Sequence, residues 1–268
     1  MGEVPQGGDH WVQERDGLVV RRRRDDSAEA EVPSVVQEAR LLSIVAALSP
    51  VAVPQVTCVI PELQQMSYPK LPGRPLLEVV EALPARAARG IGGVLGGLLS
   101  VLHGVPARVV SDLVPRDEVT PAQWLEEAAG WYGAVRAHLS TPRAAAVARF
   151  LDDAPPRPCG DLVFSHNDLG AEHVLVDDSW TVTGVIDWTD AAITDPAYDF
   201  GLLLRDLGPA AFESAVAEYR RDPSEGLVER AWFYARATLL EDLAFGIREH
   251  RHPYERNSRR VLPLLFGR

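Results

Sequence analysis

Residues 165–176 read Ser-His-Asn-Asp-Leu-Gly-Ala-Glu-His-Val-Leu-Val, and residues 184–188 read Gly-Val-Ile-Asp-Trp. Asp168, His173 and Asp187 therefore stand as separate polar groups between short apolar strands. Such a set suits phosphoryl transfer, in which one carboxylate orients and deprotonates an acceptor hydroxyl while other ligands hold magnesium on the nucleotide phosphates. A hydrolytic metal site is the competing reading. It is the weaker one, because no pair of histidines stands at the helical spacing of His-Glu-x-x-His.

These residues need rigid elements around them. Trp11 to Glu14 and Leu18 to Arg21 flank Arg15-Asp16-Gly17, and Asp-Gly between short apolar runs predicts a hairpin. Apolar residues at Val35, Val36, Ala39, Leu42, Val45, Ala46 and Leu48 predict a helix over 29–48. Pro50 and Pro54 end it, and a third strand is expected over 56–60. Residues 66–75 hold three prolines and a glycine, which predicts an extended crossing segment and the best domain boundary. Beyond it the pattern is mainly helical, over 83–103, 121–139, 142–151, 209–221 and 227–250, with strands at 162–164, 174–176 and 182–186. The expected class is α+β, a small antiparallel-sheet lobe over 1–66, a hinge over 67–73 and a larger helical lobe over 74–268. Small ligands commonly bind between such lobes.

Composition narrows the partners. The 268 residues carry a formal charge of -11, which argues against nucleic acid, whose binding draws on Lys and Arg. The apolar stretch over 82–104 is interrupted by Arg86, Arg89 and glycines, so a buried helix is expected and a membrane span is not. Two cysteines, Cys58 and Cys159, with no secretory h-region predict idle thiols in a reducing cytoplasm. Residues 161–200 contain nine acidic residues and no Lys or Arg, whereas Arg15 and Arg21 to Arg24 make the front end basic. The two regions could face one another across a cleft, or form separate solvated faces.

The spacing His166-x-Asp168-x4-His173, then Asp187, then Asp195-Pro196-x-x-Asp199-Phe200 resembles the aminoglycoside phosphotransferase family, the small-molecule branch of the protein-kinase-like fold. Its members commonly carry His-Gly-Asp-x4-Asn, Ile-Asp-Trp or Ile-Asp-Phe, and Asp-Pro-x-x-Asp-Leu. The resemblance implies that Asp168 is the catalytic carboxylate, that His166 supports its loop, that His173 and Asp187 hold magnesium, and that Asp199 buttresses the loop. Asp195 reads equally as a turn residue. His173 departs from the usual Asn, as in macrolide phosphotransferases, and imidazole in that place raises the prospect of manganese. Asn167 replaces the usual Gly and is a candidate substrate contact.

In a kinase-like front lobe a strand cation reaches the nucleotide phosphates and a helix glutamate positions it. The only lysine, Lys70, lies in the connector, so the expected anchor is Arg21 with Glu38 as partner, Arg22 and Arg23 being alternatives. Gly7-Gly8-Asp9-His10 is the candidate phosphate-covering turn, with so little chain before it that a slight nucleotide lid is expected. Backbone groups from Met66 to Tyr68 are expected at the purine edge of ATP or GTP. Glu241, Asp242 and Glu249, with Trp124, Trp131, Trp232 and Tyr234, are candidates for the acceptor pocket. The resemblance implies a cytoplasmic O-phosphotransferase that phosphorylates a hydroxyl of a small molecule, in particular an antibiotic; the acidic helical lobe favours a cationic one, with nucleoside and macrolide antibiotics left open. A choline, homoserine or sugar kinase, or a kinase-like binding protein with weak catalysis, are the alternatives.

Overall fold

The computed structural model describes residues 10–23 and 34–267. The candidate turn at 7–9 and the start expected for the first helix at residue 29 lie outside them. Strands β1 (His10–Arg15) and β2 (Leu18–Arg23) form the expected hairpin, closed by Arg15 opposite Leu18. Asp16 and Gly17 both take positive φ, 52° and 76°, the backbone of a type I′ turn whose twist matches that of the strands it joins. Helix α1 (Val35–Leu48) starts from a capping box in which Ser34 and Gln37 each accept the other's backbone N–H. Strands β3 (Cys58–Ile60) and β4 (Gln65–Pro69) complete an antiparallel sheet of order β1-β2-β4-β3. The first four residues of the segment expected to be an irregular connector, 66–69, therefore belong to the inner strand β4, in which Gln65, Met66 and Ser67 pair with neighbours on both sides.

The chain then crosses through β5 (Arg74–Pro75) into α2 (Leu76–Val79) and the helical part: α3 (Ala85–Leu102), α4 (Pro121–Val135) and α5 (Thr141–Asp152). Short strands β6 (Val163–Ser165), β7 (Val174–Val176), β8 (Val182–Val185) and β9 (Ala192–Thr194) follow. Helices α6 (Ala197–Leu207), α7 (Pro209–Glu218), α8 (Leu227–Arg248) and α9 (His252–Leu265) close the fold. β5, β7 and β8 form one small sheet, while β6 and β9 pair in another; the loops that follow β6 and β8 meet where His173 O accepts the Ile186 N–H.

Helix α3 alone among the described residues has the length and composition to cross a membrane, yet eight of its residues are buried in the core. Gly92 and Gly96 set its depth: a Cβ on either would lie 2.1 or 2.2 Å from a backbone carbonyl oxygen of α7. The sequence pattern missed α6. All but one of its residues, Tyr198, are buried, so it has no polar face from which to read a helical period. α9 was missed as well: Pro253 and Pro263 punctuate it, the first within the opening turn that tolerates proline and the second close to its end.

Candidate active site

The loop joining β6 to β7 carries Asp168, and two carboxylates of α6 grip it. Asp199 Oδ2 accepts the His166 backbone N–H at 3.0 Å, and Asp206 Oδ2 accepts the Ala171 N–H at 2.7 Å. Asp199 is fully buried, and burial pushes its pKa up to about 7, against the pull of the Asn167, His166 and Leu169 amides. Asp195 is more than a turn residue. Its Oδ1 caps α6 at the Ala197 N–H, while Oδ2 meets Arg230 Nε at 2.7 Å and the Tyr234 hydroxyl at 3.1 Å.

His166 is buried, and its ring joins the two polar loops. Nε2 faces the Ile186 carbonyl at 3.0 Å and must carry the proton, while Nδ1 accepts the Asp168 N–H at 3.3 Å. Burial, with the neighbouring His173 charge, lowers its pKa to about 3, so it is a neutral strut, with Trp188 packed 4.5 Å from it, centroid to centroid. Asn167 takes φ 63°, a left-handed angle that asparagine tolerates, and its buried side-chain oxygen has no hydrogen-bond partner among the described residues.

Asp168, His173 and Asp187 come together as expected from their spacing. His173 Nδ1 lies 2.8 Å from the Asp168 carbonyl and 3.3 Å from its carboxylate, while Nε2 faces Asp187 Oδ2 at 3.7 Å. The carbonyl holds a proton on Nδ1, so Nε2 is the nitrogen that, on giving up its own proton, can offer a lone pair beside Asp187, a fit to a divalent cation. Burial alone would lower the His173 pKa, but the Asp168, Glu172 and Asp187 carboxylates outweigh it and raise it. Asp187 sits at φ 59°. Burial would raise its pKa, but Arg21 and His173 hold it well below the carboxylate range. On the other side of His173, ligand atoms of Asp168, Glu172 and His173 lie within 4.8 Å of one another, a group that could also hold a cation.

Of the three candidate arginines, Arg21 is the one turned inward; Arg22 is exposed. The Arg21 guanidinium donates to Glu38 on α1 through Nη1 and to the Thr189 hydroxyl through Nη2, which also lies 3.3 Å from Asp187 Oδ1. Thr189 in turn donates to Asp187 Oδ1 at 2.9 Å. Both Arg21 and Glu38 are buried, at 7% and 5% exposure, so this pair is a deliberate link between sheet, helix and the loop after β8. Through Arg21 the basic front end meets the acidic centre at Asp187.

At the connector the register relocates one expectation. Backbone polar groups alternate along a strand. Ser67 O accepts the Thr57 N–H on the β3 side, and the Lys70 N–H reaches Gly17 O on the β2 side. Met66 and Tyr68 therefore direct their backbone groups toward β2, within the sheet. By the same alternation the Pro69 carbonyl points the other way, past the start of β3.

Beyond Asp168 a cavity of about 450 Å³ opens between α4, α6, α8 and α9. Asn167, Glu241, Asp242, Trp124 and Trp131 line it as expected. Glu249 instead pairs with Arg248 at the surface, Trp232 packs by Arg236, and Tyr234 is buried on Asp195. Asp242 is answered by Arg205 Nε at 3.2 Å, which also binds Asp206 at 2.8 Å and approaches Glu172 at 3.8 Å. Sequence reasoning did not single out Glu172, Thr189, Asp190 or Arg205. The first three stand within the motif region and were legible as polar neighbours of Asp168 and Asp187; Arg205 carries no local signal. Cys58, expected to be idle, is exposed.

Residues 6–234 match the sequence model of the phosphotransferase enzyme family, APH. The fold is similar to that of the GDP and kanamycin complex of APH(2")-IIIa, with a TM-score of 0.68, 20% identity, and coverage of 97% of this chain and 91% of that one. The apoenzyme of macrolide 2'-phosphotransferase MphH from Brachybacterium faecium aligns with a TM-score of 0.60 and 26% identity, over 97% of this chain and 90% of that one. An uncharacterized protein of Bacillus subtilis (strain 168), YcbJ, is 51% identical over 54 residues, 20% of this chain and 17% of that protein.

Proposed function

The chain belongs to the phosphotransferase enzyme family, and we propose that it transfers the terminal phosphate of ATP or GTP to a hydroxyl of a small antibiotic that carries an amine. One observation carries this reading. Asp168 lines the acceptor-sized cavity and is 3.3 Å from His173, whose other nitrogen faces Asp187 and, through it, Arg21. An acceptor hydroxyl on one side of Asp168 and nucleotide phosphates on the other would then be held in line.

In this reading Asp168 accepts or orients the hydroxyl proton, and the orphaned Asn167 oxygen accepts a hydrogen bond from the acceptor. His166 and Asp199 hold the loop. Arg21, positioned by Glu38, neutralises the phosphates. His173 Nε2 and Asp187 Oδ2 would hold Mg²⁺ or Mn²⁺, which supplies charge neutralisation at the transferred phosphoryl group when bound. The hinge over 67–73 presents the Pro69 carbonyl and Leu71 amide to the purine edge, one acceptor and one donor, in place of Met66 and Tyr68. A nucleotide donor supports a cytoplasmic site of action.

The cavity supports a cationic acceptor with an apolar body. Its acidic residues are Asp117, Asp168, Glu172, Asp190, Glu241 and Asp242, against Arg205 and Arg248. Much of that charge has an internal answer, since Arg205 serves Asp242 and approaches Glu172, and His173 serves Asp168. Trp124, Trp131, Tyr198, Phe245 and Tyr254 add flat apolar wall, suited to a ring carrying few charges rather than many. The test is transfer of labelled phosphate from ATP and from GTP to a panel of antibiotics and metabolites, with Asp168→Ala as control. Equal labelling by the two proteins would overturn the assignment; labelling of choline or a sugar alone would overturn the antibiotic acceptor.

A further inference from the structure

The two oxygens of Asp187 live in different surroundings. Oδ1 accepts the Thr189 hydroxyl at 2.9 Å and lies 3.3 Å from Arg21 Nη2, while Oδ2 faces His173 Nε2 at 3.7 Å. Arg21 Nη2 also donates to Thr189 Oγ1. The hydroxyl thus gives its proton to the carboxylate and offers a lone pair to the guanidinium, a double role open to Ser or Thr and closed to Val or Ala.

We propose that Thr189 is a positioning residue for the cation site: with Arg21 it occupies Asp187 Oδ1, so that Oδ2 is the oxygen presented beside His173. The proposal rests on the reading of Asp187 and His173 as cation ligands. A carboxylate can turn about its Cβ–Cγ bond, and a partial turn here swings the oxygen beside His173 out of place and toward Arg21. Thr189 opposes that turn with a hydrogen bond only two residues along the chain. Without the hydroxyl, Arg21 is the one group left on Oδ1 among the described residues, and a guanidinium able to draw both oxygens toward itself competes with the cation for the same carboxylate. Partners that orient a metal's ligands in this way typically change metal affinity by about 10- to 100-fold when removed.

The experiment is a titration of Mn²⁺ in the presence of ADP, free Mn²⁺ being read by electron paramagnetic resonance, on the wild-type protein and on Thr189→Val, Thr189→Ala, Thr189→Ser and Asp187→Ala, with the melting temperature of each recorded without metal. The expected result is Mn²⁺ affinity about tenfold weaker in Thr189→Val and Thr189→Ala, near wild type in Thr189→Ser, with little change in metal-free melting. In turnover the KM for the metal–nucleotide complex should rise more than kcat falls. Should Asp187→Ala lose Mn²⁺ while the Val and Ala proteins bind it as the wild type does, the role of Thr189 is overturned and the cation site stands. Equal weakening in Thr189→Ser also overturns it, since the hydroxyl is then not the cause. If Asp187→Ala binds Mn²⁺ normally, the assignment of the cation site itself fails.

Discussion

Asp199 and Asp206 stand seven residues apart on α6, two helical turns, and so on one face, from which they hold the Asp168 loop at its two ends. The helix is buried and rigid, and the loop inherits that rigidity. Asp206 also anchors Arg205 and accepts from Asn257 Nδ2 at 3.3 Å, so the second grip is tied into α8 and α9 as well. Replacing Asp206 with Asn removes the charge that answers a buried guanidinium. The expected cost is about 3 kcal/mol of stability, the scale of breaking a buried pair from one side. Urea denaturation of Asp206→Asn checks this, and an unchanged midpoint would show the network to be dispensable.

Asp199→Asn tests the other grip by a different readout. Its carboxylate accepts the His166 backbone N–H, and an amide side chain of the same shape can still accept it. Folding should therefore suffer less than in Asp206→Asn, while the loop becomes less well placed. We expect kcat to fall about tenfold or more with nucleotide affinity nearly unchanged, because misplacement of a reacting group by even an ångström is costly. A loss of nucleotide binding equal to the loss of kcat would count against this division of roles.

Much of this was legible in the sequence, and the reason is local. His166, Asp168 and His173 share one short loop between consecutive strands, and Asp187 opens the next such loop, so their spacing along the chain limits how far apart they can lie. Arg21 and Glu38 were legible from the hairpin and the helix that follows it. What was not legible depends on contacts between distant elements. Arg205 meets Asp242 and Glu172 only through the packing of α6 on α8, and the diversion of Met66 and Tyr68 toward β2 follows from a register that alternation along one strand cannot reveal.

The Arg21–Glu38 pair permits stability and nucleotide binding to be separated. Arg21→Met leaves Glu38 buried without its partner, and we expect a loss of about 3–5 kcal/mol. Arg21→Met combined with Glu38→Leu replaces the pair by apolar groups and should recover most of that stability, yet it should not recover nucleotide affinity. Double-mutant cycles in urea, together with calorimetric titration of the nucleotide, measure the two effects independently. Recovery of both would mean that Arg21 serves the fold alone. Arg21→Lys should fail in binding as well, because one ammonium cannot span Glu38 and Thr189 as a planar fork does.

His103 gives a pH dependence whose sign can be worked out. It is buried between Tyr219 and Ser165, with its ring nitrogens 2.9 and 3.2 Å from their hydroxyls, and burial, aided by Arg221, lowers its pKa to about 3. In the unfolded chain it titrates near 6.5. The unfolded state therefore binds a proton that the folded state refuses as pH falls below 6.5, and the stability supplied by neutral His103 is complete above that value and lost below it. From pH 7.5 to 5.5 the loss amounts to about 1.4 kcal/mol, one unit below the unfolded pKa. His103→Gln should consequently be less destabilising at pH 5.5 than at pH 7.5 by that amount. Urea denaturation of both proteins at both pH values decides it, and a difference independent of pH would show that His103 titrates normally in the fold.

The connector offers a test that leaves the sheet intact. Leu71 precedes Pro72 and follows Lys70, whose amide turns to β2 at Gly17; continued alternation turns the Leu71 amide the other way, and the proposed purine contact rests on that. Leu71→Pro deletes that N–H and keeps the extended backbone that the segment already has, since a residue before proline prefers such angles. If the Leu71 amide meets the purine edge, one hydrogen bond is lost and nucleotide affinity should fall about tenfold, a free energy of about 1.4 kcal/mol. Inorganic triphosphate, which has no base, should bind the two proteins alike as a competitor. Melting without ligand should fall only by what the Leu71 side chain contributes on Gly184, because β4 ends at Pro69 and its ladder does not include Leu71. Calorimetric titration with ADP and GDP provides the measurement; equal affinities in the wild-type and Leu71→Pro proteins would remove the amide from the site and return the purine edge to the side chains around it.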